Sequence, residues 1–192
     1  MDATHWQDVS DPDLLAAVAG SDAAAFERLY QLYEKRVYQY VRTLIYDPTL
    51  AEEVVVDTMM AVWRGAGGFS RSSRVSTWIF GIARHKALDA LRRTGRHHND
   101  VALDEAIELP HAQESPAESV DRKQVTSLTQ QALKTLSREH QEVLRLVFYE
   151  ELPYEEIAVL LSIPTNTVKT RVYYAKQRLK HQLKQFGQGE RV

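Results

Sequence analysis

Tyr154-Glu155-Glu156-Ile157-Ala158-Val159-Leu160-Leu161-Ser162-Ile163-Pro164-Thr165-Asn166-Thr167-Val168-Lys169-Thr170-Arg171-Val172 is the most specific stretch of the 192-residue chain. Residues 154–161 have the apolar spacing of a short helix, 162–164 read as a turn, and Thr165 opens a longer helix. Ile157, Ala158, Leu161, Ile163, Val168 and Val172 supply the small core of a helix-turn-helix. The second helix then exposes Asn166, Lys169, Thr170, Tyr173 and Gln177, residue types that reach base edges when a helix N-terminus enters a major groove. Lys176, Lys180 and Lys184 suit phosphates. Arg171 has a second reading, an ion pair with Glu156 across the motif. A plain helical hairpin with a solvated basic face is the bland reading of the whole stretch.

Working outward, the helical period dominates. Arg138–Tyr149 and Val120–Leu136 read as helices before the motif, and the last helix is expected to run from Thr165 to Gln185. Thr94 to Ser119 has no sustained period, two prolines (Pro110, Pro116) and many acids, so it reads as a flexible linker. On its N-terminal side a short helix opens at Asp11-Pro12. Phe26, Leu29, Tyr30, Tyr33, Val37, Tyr40, Val41 and Leu44 draw one stripe on a long helix, with Ser21 and Asp22 as its cap. Thr49-x-x-Glu52 is read as a capping box, opening a helix from about Leu50 to Trp63 that buries Ala51, Val54, Val55, Thr58, Met59 and Val62. A further helix, about Val75 to Arg93, is expected to bury Ile79, Ile82, Ala83, Ala87, Ala90 and Leu91. No strand pattern is visible. The fold class expected is all-α, two small helical domains joined by a flexible linker, with boundaries 1–94, 95–119 and 120–192.

Composition sets the function classes. The chain has 44% hydrophobic and 26% charged residues, enough apolar content for a packed core. It has no cysteine, which excludes a disulfide scaffold, a cysteine zinc site and a thiol nucleophile. No apolar run approaches a membrane span and no secretory signal is visible, so the expected compartment is the cytoplasm, with no membrane contact of its own. The net charge of −2 conceals segregation. Residues 47–57 carry four acids and no base, and 165–184 six bases and no acid. Residues 84–98 carry five bases against one acid, and 99–122 seven acids against one base. Two basic segments flanking an acidic one suggest two contacts with a polyanion.

Two further constellations carry chemistry. Trp78, Gly81, His85, Asp89 and Arg92 share the face opposite the buried stripe of their helix. The loop before it, Phe69 to Thr77, holds Arg71, Ser73, Arg74 and Ser76. An aromatic, hydroxyls and arginines together suit a single strand, whose bases stack and whose phosphates need neutralising. Asp47, Glu52, Glu53 and Asp57 form an acidic helix face, with no base nearby in sequence. That is a docking surface for a basic partner, or a set of solvated acids, before it is a metal site. The seven histidines show no zinc-binding spacing, and Gly65, Gly67 and Gly68 lack the ending of a phosphate loop.

Taken in order, these parts resemble the bacterial sigma-70 family, in its small extracytoplasmic-function group, over about residues 12 to 184. Phe26-Glu27-Arg28-Leu29-Tyr30 with Tyr33 resembles the start of region two. Asp47 to Asp57, ending in Val62-Trp63, resembles the helix that docks on core RNA polymerase. Ser76 to Arg84, continuing through Ala87 to Arg93, resembles the segment that melts and reads the −10 element. Leu136-Ser137, Val143 to Leu146 and the helix-turn-helix resemble region four. Val56 stands where the family often has glutamine, His85 where many members have asparagine, and Tyr174 where many have arginine.

The resemblance implies a non-catalytic transcription initiation factor without a cofactor or a metal. Its partners would be core RNA polymerase, promoter DNA and an anti-sigma factor. It implies core docking through Asp47, Glu52, Glu53 and Asp57. It implies −10 contacts from Phe69, Arg71, Ser73, Arg74, Ser76, Trp78, His85, Asp89 and Arg92. It implies −35 contacts from Thr165, Asn166, Thr167, Lys169, Thr170, Arg171, Tyr173, Tyr174 and Gln177. The linker is too short for the middle domain of larger members, and no appended C-terminal domain is expected. Two other readings fit parts of the chain. A helix-turn-helix regulator acting without polymerase leaves the Trp78 segment and the acidic helix unexplained. A metal-dependent nuclease would rest on Asp47, Glu52, Glu53 and Asp57.

Overall fold

A computed structural model describes Trp6, residues 9–95, Thr129 and residues 131–189. Among these residues there is no strand, and the chain forms two compact helical units. The linker beyond Gly95 and most of the helix expected at Val120–Leu136 lie outside the described residues. The last turn of that helix, 131–134, is helical.

Among the described residues the first unit contains four α-helices. α1 (Asp11–Ala19) begins after Ser10, whose hydroxyl donates to Asp13 (2.6 Å). α2 (Ala23–Leu44) is capped by Asp22, which accepts from the backbone N–H of Ala24 and Ala25, both at 2.9 Å. Its stripe is as expected: Leu29, Tyr33, Val37, Tyr40, Val41 and Leu44 are buried. Phe26 and Tyr30 are half-buried at its start. The Tyr33 hydroxyl donates to Asp11 and so ties α1 to α2. Burial, foremost, with that carboxylate pushes the Tyr33 phenol far up, so it remains a donor at neutral pH.

α3 (Pro48–Gly65) corrects the capping box. Pro48 is the first helical residue and has no N–H, so the first donors needing a partner are those of Thr49 and Leu50. Asp47 takes both, at 3.1 and 3.2 Å. Thr49 is therefore inside the helix, and Asp47 is a cap. The six residues expected in the core of α3 are buried, and a 3₁₀ turn at Ala66–Gly68 follows.

α4 (Val75–Arg93) packs on α3 and α2. Here the expected core was wrong at one position. Ile82 is half-buried, whereas Phe80 is fully buried. The Phe80 ring meets Tyr40 edge-on (5.3 Å between centroids) and Tyr33 at 6.5 Å. An aromatic side chain buries more apolar area than isoleucine, and α2 offers two rings to receive it. Arg36 covers the cluster, its guanidinium 4.6 Å from the Tyr33 centroid.

The second unit contains α5 (Arg138–Phe148), α6 (Tyr154–Leu161) and α7 (Thr165–Gly189). α7 runs four residues past the expected end. α5 packs against α7, and Leu136, Leu144 and Ala175 form a cluster with Leu133. Ile157, Ala158, Leu161, Val168 and Val172 are buried as expected. Ile163 is only half-buried, because it sits in the reversal itself. There Ser162 adopts a left-handed φ of 57°, and the Ile163 N–H bonds back to Ala158 O (3.0 Å), closing α6. A buried ion pair, Arg145 Nη2 to Glu150 Oε1 at 3.0 Å, fixes the chain between α5 and α6.

Candidate functional site

On α3, Glu52, Glu53 and Asp57 are exposed. Their spacing puts them on the face away from Ala51, Val55 and Thr58. Two apolar side chains share that face: Val56 (53% exposed), singled out in the sequence only as standing where the family often has glutamine, and Met60 (41%), which the sequence reading did not single out. Their signal was available: they fall four residues apart, Val56 between Glu53 and Asp57 and Met60 three residues after Asp57. The face is therefore mixed acidic and apolar, as a protein-docking surface needs. Its acids are not isolated from bases, as they are in sequence. α4 packs beside α3, and Arg93 borders the same cleft of about 540 Å³ as Glu53 and Asp57. Lys35 of α2 borders a second cleft of about 420 Å³ with Glu52, Tyr30 and Tyr38. Asp47 is set apart from the other acids by its cap bonds. Among the described residues no group of three or more His, Asp or Glu side chains could hold a metal ion.

The loop before α4 is shaped by its own side chains. Arg71 turns the chain with a φ of 58°, and the Ser70 and Ser72 hydroxyls lie 2.8 Å apart. The Ser73 hydroxyl reaches Arg74 O at 3.4 Å. Arg71 and Arg74 are exposed, and Ser73 and Ser76 half-buried. Phe69 and Trp78 are both half-buried, with ring centroids 5.4 Å apart. Gly65 borders the Trp78 ring: a Cβ there would meet it at an ordinary contact distance of 3.4 Å. Trp78 thus has one edge in the fold and one at the surface.

Farther along α4, His85 is 74% exposed, and its Nδ1 lies 3.1 Å from Asp89 Oδ2. The other oxygen of Asp89 accepts from Arg92. That hydrogen bond, foremost, with the charges of His85, Arg92 and Lys86, holds the Asp89 carboxyl below its ordinary value against the opposing effect of desolvation. The structure thus brings His85, Asp89 and Arg92 into one hydrogen-bonded row, with Trp78 and Gly81 earlier on the same helix face.

On α7, Asn166, Lys169, Thr170, Tyr173, Tyr174 and Gln177 are exposed, and Thr165, Thr167 and Arg171 half-buried. The Thr170 hydroxyl donates to Asn166 O (2.8 Å), so its methyl and a lone pair remain for a ligand. Tyr173 and Tyr174 meet edge to face at 5.4 Å. Lys176 departs from the expected row of phosphate contacts. Its ammonium lies 4.7 Å over the Phe148 ring, on the flank that faces α5. Lys180 and Lys184 are exposed.

Residues 29–97 match the family model for sigma-70 region 2, and residues 132–181 that for sigma-70, region 4. The ECF RNA polymerase sigma factor SigL of Mycobacterium tuberculosis is 30% identical over 176 residues, 90% of this chain and 97% of that protein. The RNA polymerase sigma-H factor of Pseudomonas aeruginosa is 27% identical, over 88% of this chain and 91% of its own. Among solved structures, the sigma factor RpoE in complex with the anti-sigma factor NepR from Bartonella quintana is similar with a TM-score of 0.63. It is 26% identical and covers 83% of this chain and 96% of that one. CnrH, solved in complex with the cytosolic domain of CnrY, shares the fold with a TM-score of 0.61 at 22% identity, over 95% of this chain and 98% of that one. With two regions matched in order and a relative similar along nearly its whole length, the chain belongs to the sigma-70 family of RNA polymerase sigma factors, in the extracytoplasmic-function group, and is a factor of transcription initiation.

Proposed function

We propose that this sigma factor divides its work among three surfaces. The α3 face with Glu52, Glu53, Val56, Asp57 and Met60 docks on core RNA polymerase, and Asp47 shapes the start of that helix. The loop from Phe69 to Ser76 and the α4 face with Trp78, His85, Asp89 and Arg92 hold the unpaired −10 strand. Extruding a base costs a few kcal/mol of unstacking, which stacking and hydrogen bonds at this face offset. α7 enters the −35 major groove with Thr165, Asn166, Thr167, Lys169, Thr170, Arg171, Tyr173, Tyr174 and Gln177 on or beside the face presented to DNA. The observation that carries the reading is the pairing of unlike faces in one packed unit: α3 exposes acids and apolar side chains, and the adjacent α4 exposes an aromatic and hydrogen-bonding row.

Under this reading region two spans residues 1–94, a linker 95–119 and region four 120–192. The protein acts in the cytoplasm, catalyses no reaction and uses no cofactor. No helix among the described residues is long and apolar enough to cross a membrane. Control by an anti-sigma factor belongs to the same proposal. RpoE, similar over most of the chain, was solved with one, and a protein covering Val56 and Met60 here would compete with polymerase.

Co-migration with purified core polymerase on a sizing column tests the reading. Co-migration supports it. Binding of duplex DNA with no affinity for polymerase would favour the independent regulator, and magnesium-dependent cleavage of DNA the nuclease.

A further inference from the structure

We infer that Thr170, Tyr173 and Tyr174 form an apolar seat on α7 for the C5-methyl group of one thymine, so that one position of the −35 duplex is selected by shape rather than by a hydrogen bond. The inference rests on the reading of α7 as the helix that meets the −35 duplex.

Val168, Val172 and Ala175 are buried and fix which side of α7 faces the core. Thr170 projects from the opposite side. Tyr173 and Tyr174, one turn on, stand about 60° to one side of it and about 40° to the other. Helical side chains lean toward the N-terminus, so the two rings stand over the turn that carries Thr170. The rings meet edge to face, with centroids 5.4 Å apart, and each limits the movement of the other. Both tyrosines are 58% exposed. The three residues thus make an apolar patch on the outward face of the helix.

Thr170 enters that patch through its methyl group. Its hydroxyl proton is spent on Asn166 O at 2.8 Å, so no donor is left for a base. The charge around the patch selects the partner: residues 165–184 carry six bases and no acid, which suits a polyanion. On the major-groove edges of the four base pairs every hydrogen-bonding group is polar, and the one apolar group is the C5-methyl of thymine. An apolar patch facing the groove floor therefore has one match there. Cytosine and uracil carry a hydrogen where thymine carries the methyl, and leave the patch against water.

The test uses the full chain and the duplex it enriches from a library randomised over the −35 element. Each thymine of that duplex is replaced in turn by deoxyuridine, which removes the methyl and keeps every hydrogen-bonding group. At one thymine the change is expected to weaken binding about three- to fivefold, the worth of one methyl taken from water. Thr170→Ser keeps the hydroxyl and loses the methyl. It should bind the thymine and deoxyuridine duplexes within about 1.5-fold of one another. Thr170→Val keeps the methyl without the hydroxyl and should retain the wild-type difference. Lys180→Ala, farther along α7, should weaken both duplexes alike and retain the difference as well. Circular dichroism checks that each variant keeps its helicity, and the wild-type comparison of the two duplexes depends on no variant. No thymine sensitive to loss of its methyl would overturn the inference while leaving α7 as a duplex reader. So would a difference that persists in Thr170→Ser or disappears in a folded Thr170→Val. Absence of duplex binding and of any enriched sequence would overturn both.

Discussion

His85 and Asp89 are joined across one turn of α4, Nδ1 to Oδ2 at 3.1 Å, and Arg92 holds the other oxygen of the same carboxylate. The arrangement fixes the ring. With Asp89 kept ionised, Nδ1 carries a proton toward it, and in the neutral ring Nε2 is left as an acceptor. An acceptor on an exposed rim matches a base that presents an exocyclic amino group.

His85→Ala is accordingly expected to lower open-complex formation by about 1–3 kcal/mol of lost base contact. It should change the preferred base at one −10 position and leave −35 binding and core affinity unaltered. Permanganate footprinting of melted thymines, on promoters varied at each −10 position, measures this. Wild-type yield and rank order on every variant would move the base pocket to the Phe69–Ser76 loop.

The α3 face gives a charge prediction of opposite signs. Glu53→Lys with Asp57→Lys should weaken core-polymerase binding roughly tenfold or more while helicity is kept. Arg93→Ala removes the base that borders those acids and should leave core affinity equal or higher. Titration of labelled core polymerase reads both. A loss in the second variant as large as in the first would mean that Arg93 itself contributes to the contact, and unchanged affinity in the first would remove the acids from it.

For α7 the separation is between bases and phosphates. Lys169→Ala should cost about 1–3 kcal/mol on the cognate −35 duplex and relax one position of it. Lys180→Ala should weaken all duplexes alike and lower the salt slope by about 1. Competition binding on a randomised −35 library separates the two, and a uniform loss for Lys169→Ala would remove it from base reading.

The α4 core is tested by two truncations. Phe80→Ala should cost about 3–5 kcal/mol, because it empties a site between Tyr33 and Tyr40. Ile82→Ala, at a half-buried position, should cost less than about 2 kcal/mol. Denaturant unfolding compares them, and equal costs would restore the periodic reading of the helix.

What was legible in the sequence was what local chemistry decides. The stripe of α2, the Asp22 cap and the order of helices on either side of the helix-turn-helix follow from spacing and from which side chains accept backbone N–H groups. Phe80 was missed because a weakly amphipathic helix admits two adjacent stripes, and only the partner helix, with its two tyrosine rings, selects one. Asp47 was grouped with the acidic face because a carboxylate that caps and one that docks look alike in sequence. The Arg93 and Lys35 neighbours of that face and the stacking of Lys176 on Phe148 join residues far apart in the chain. Those depend on packing, which spacing within one helix does not encode.

Run-off transcription with purified core polymerase and this protein, on a library of promoters randomised at both elements, tests the account most directly. The account predicts transcripts only when the factor is added, and enriched templates with one −35 and one −10 motif at a fixed separation. It predicts that Glu53→Lys with Asp57→Lys lowers yield on all templates and that His85→Ala shifts the −10 motif alone. Transcription indifferent to the added protein, or enrichment of a −35 motif with no −10 motif, would contradict it.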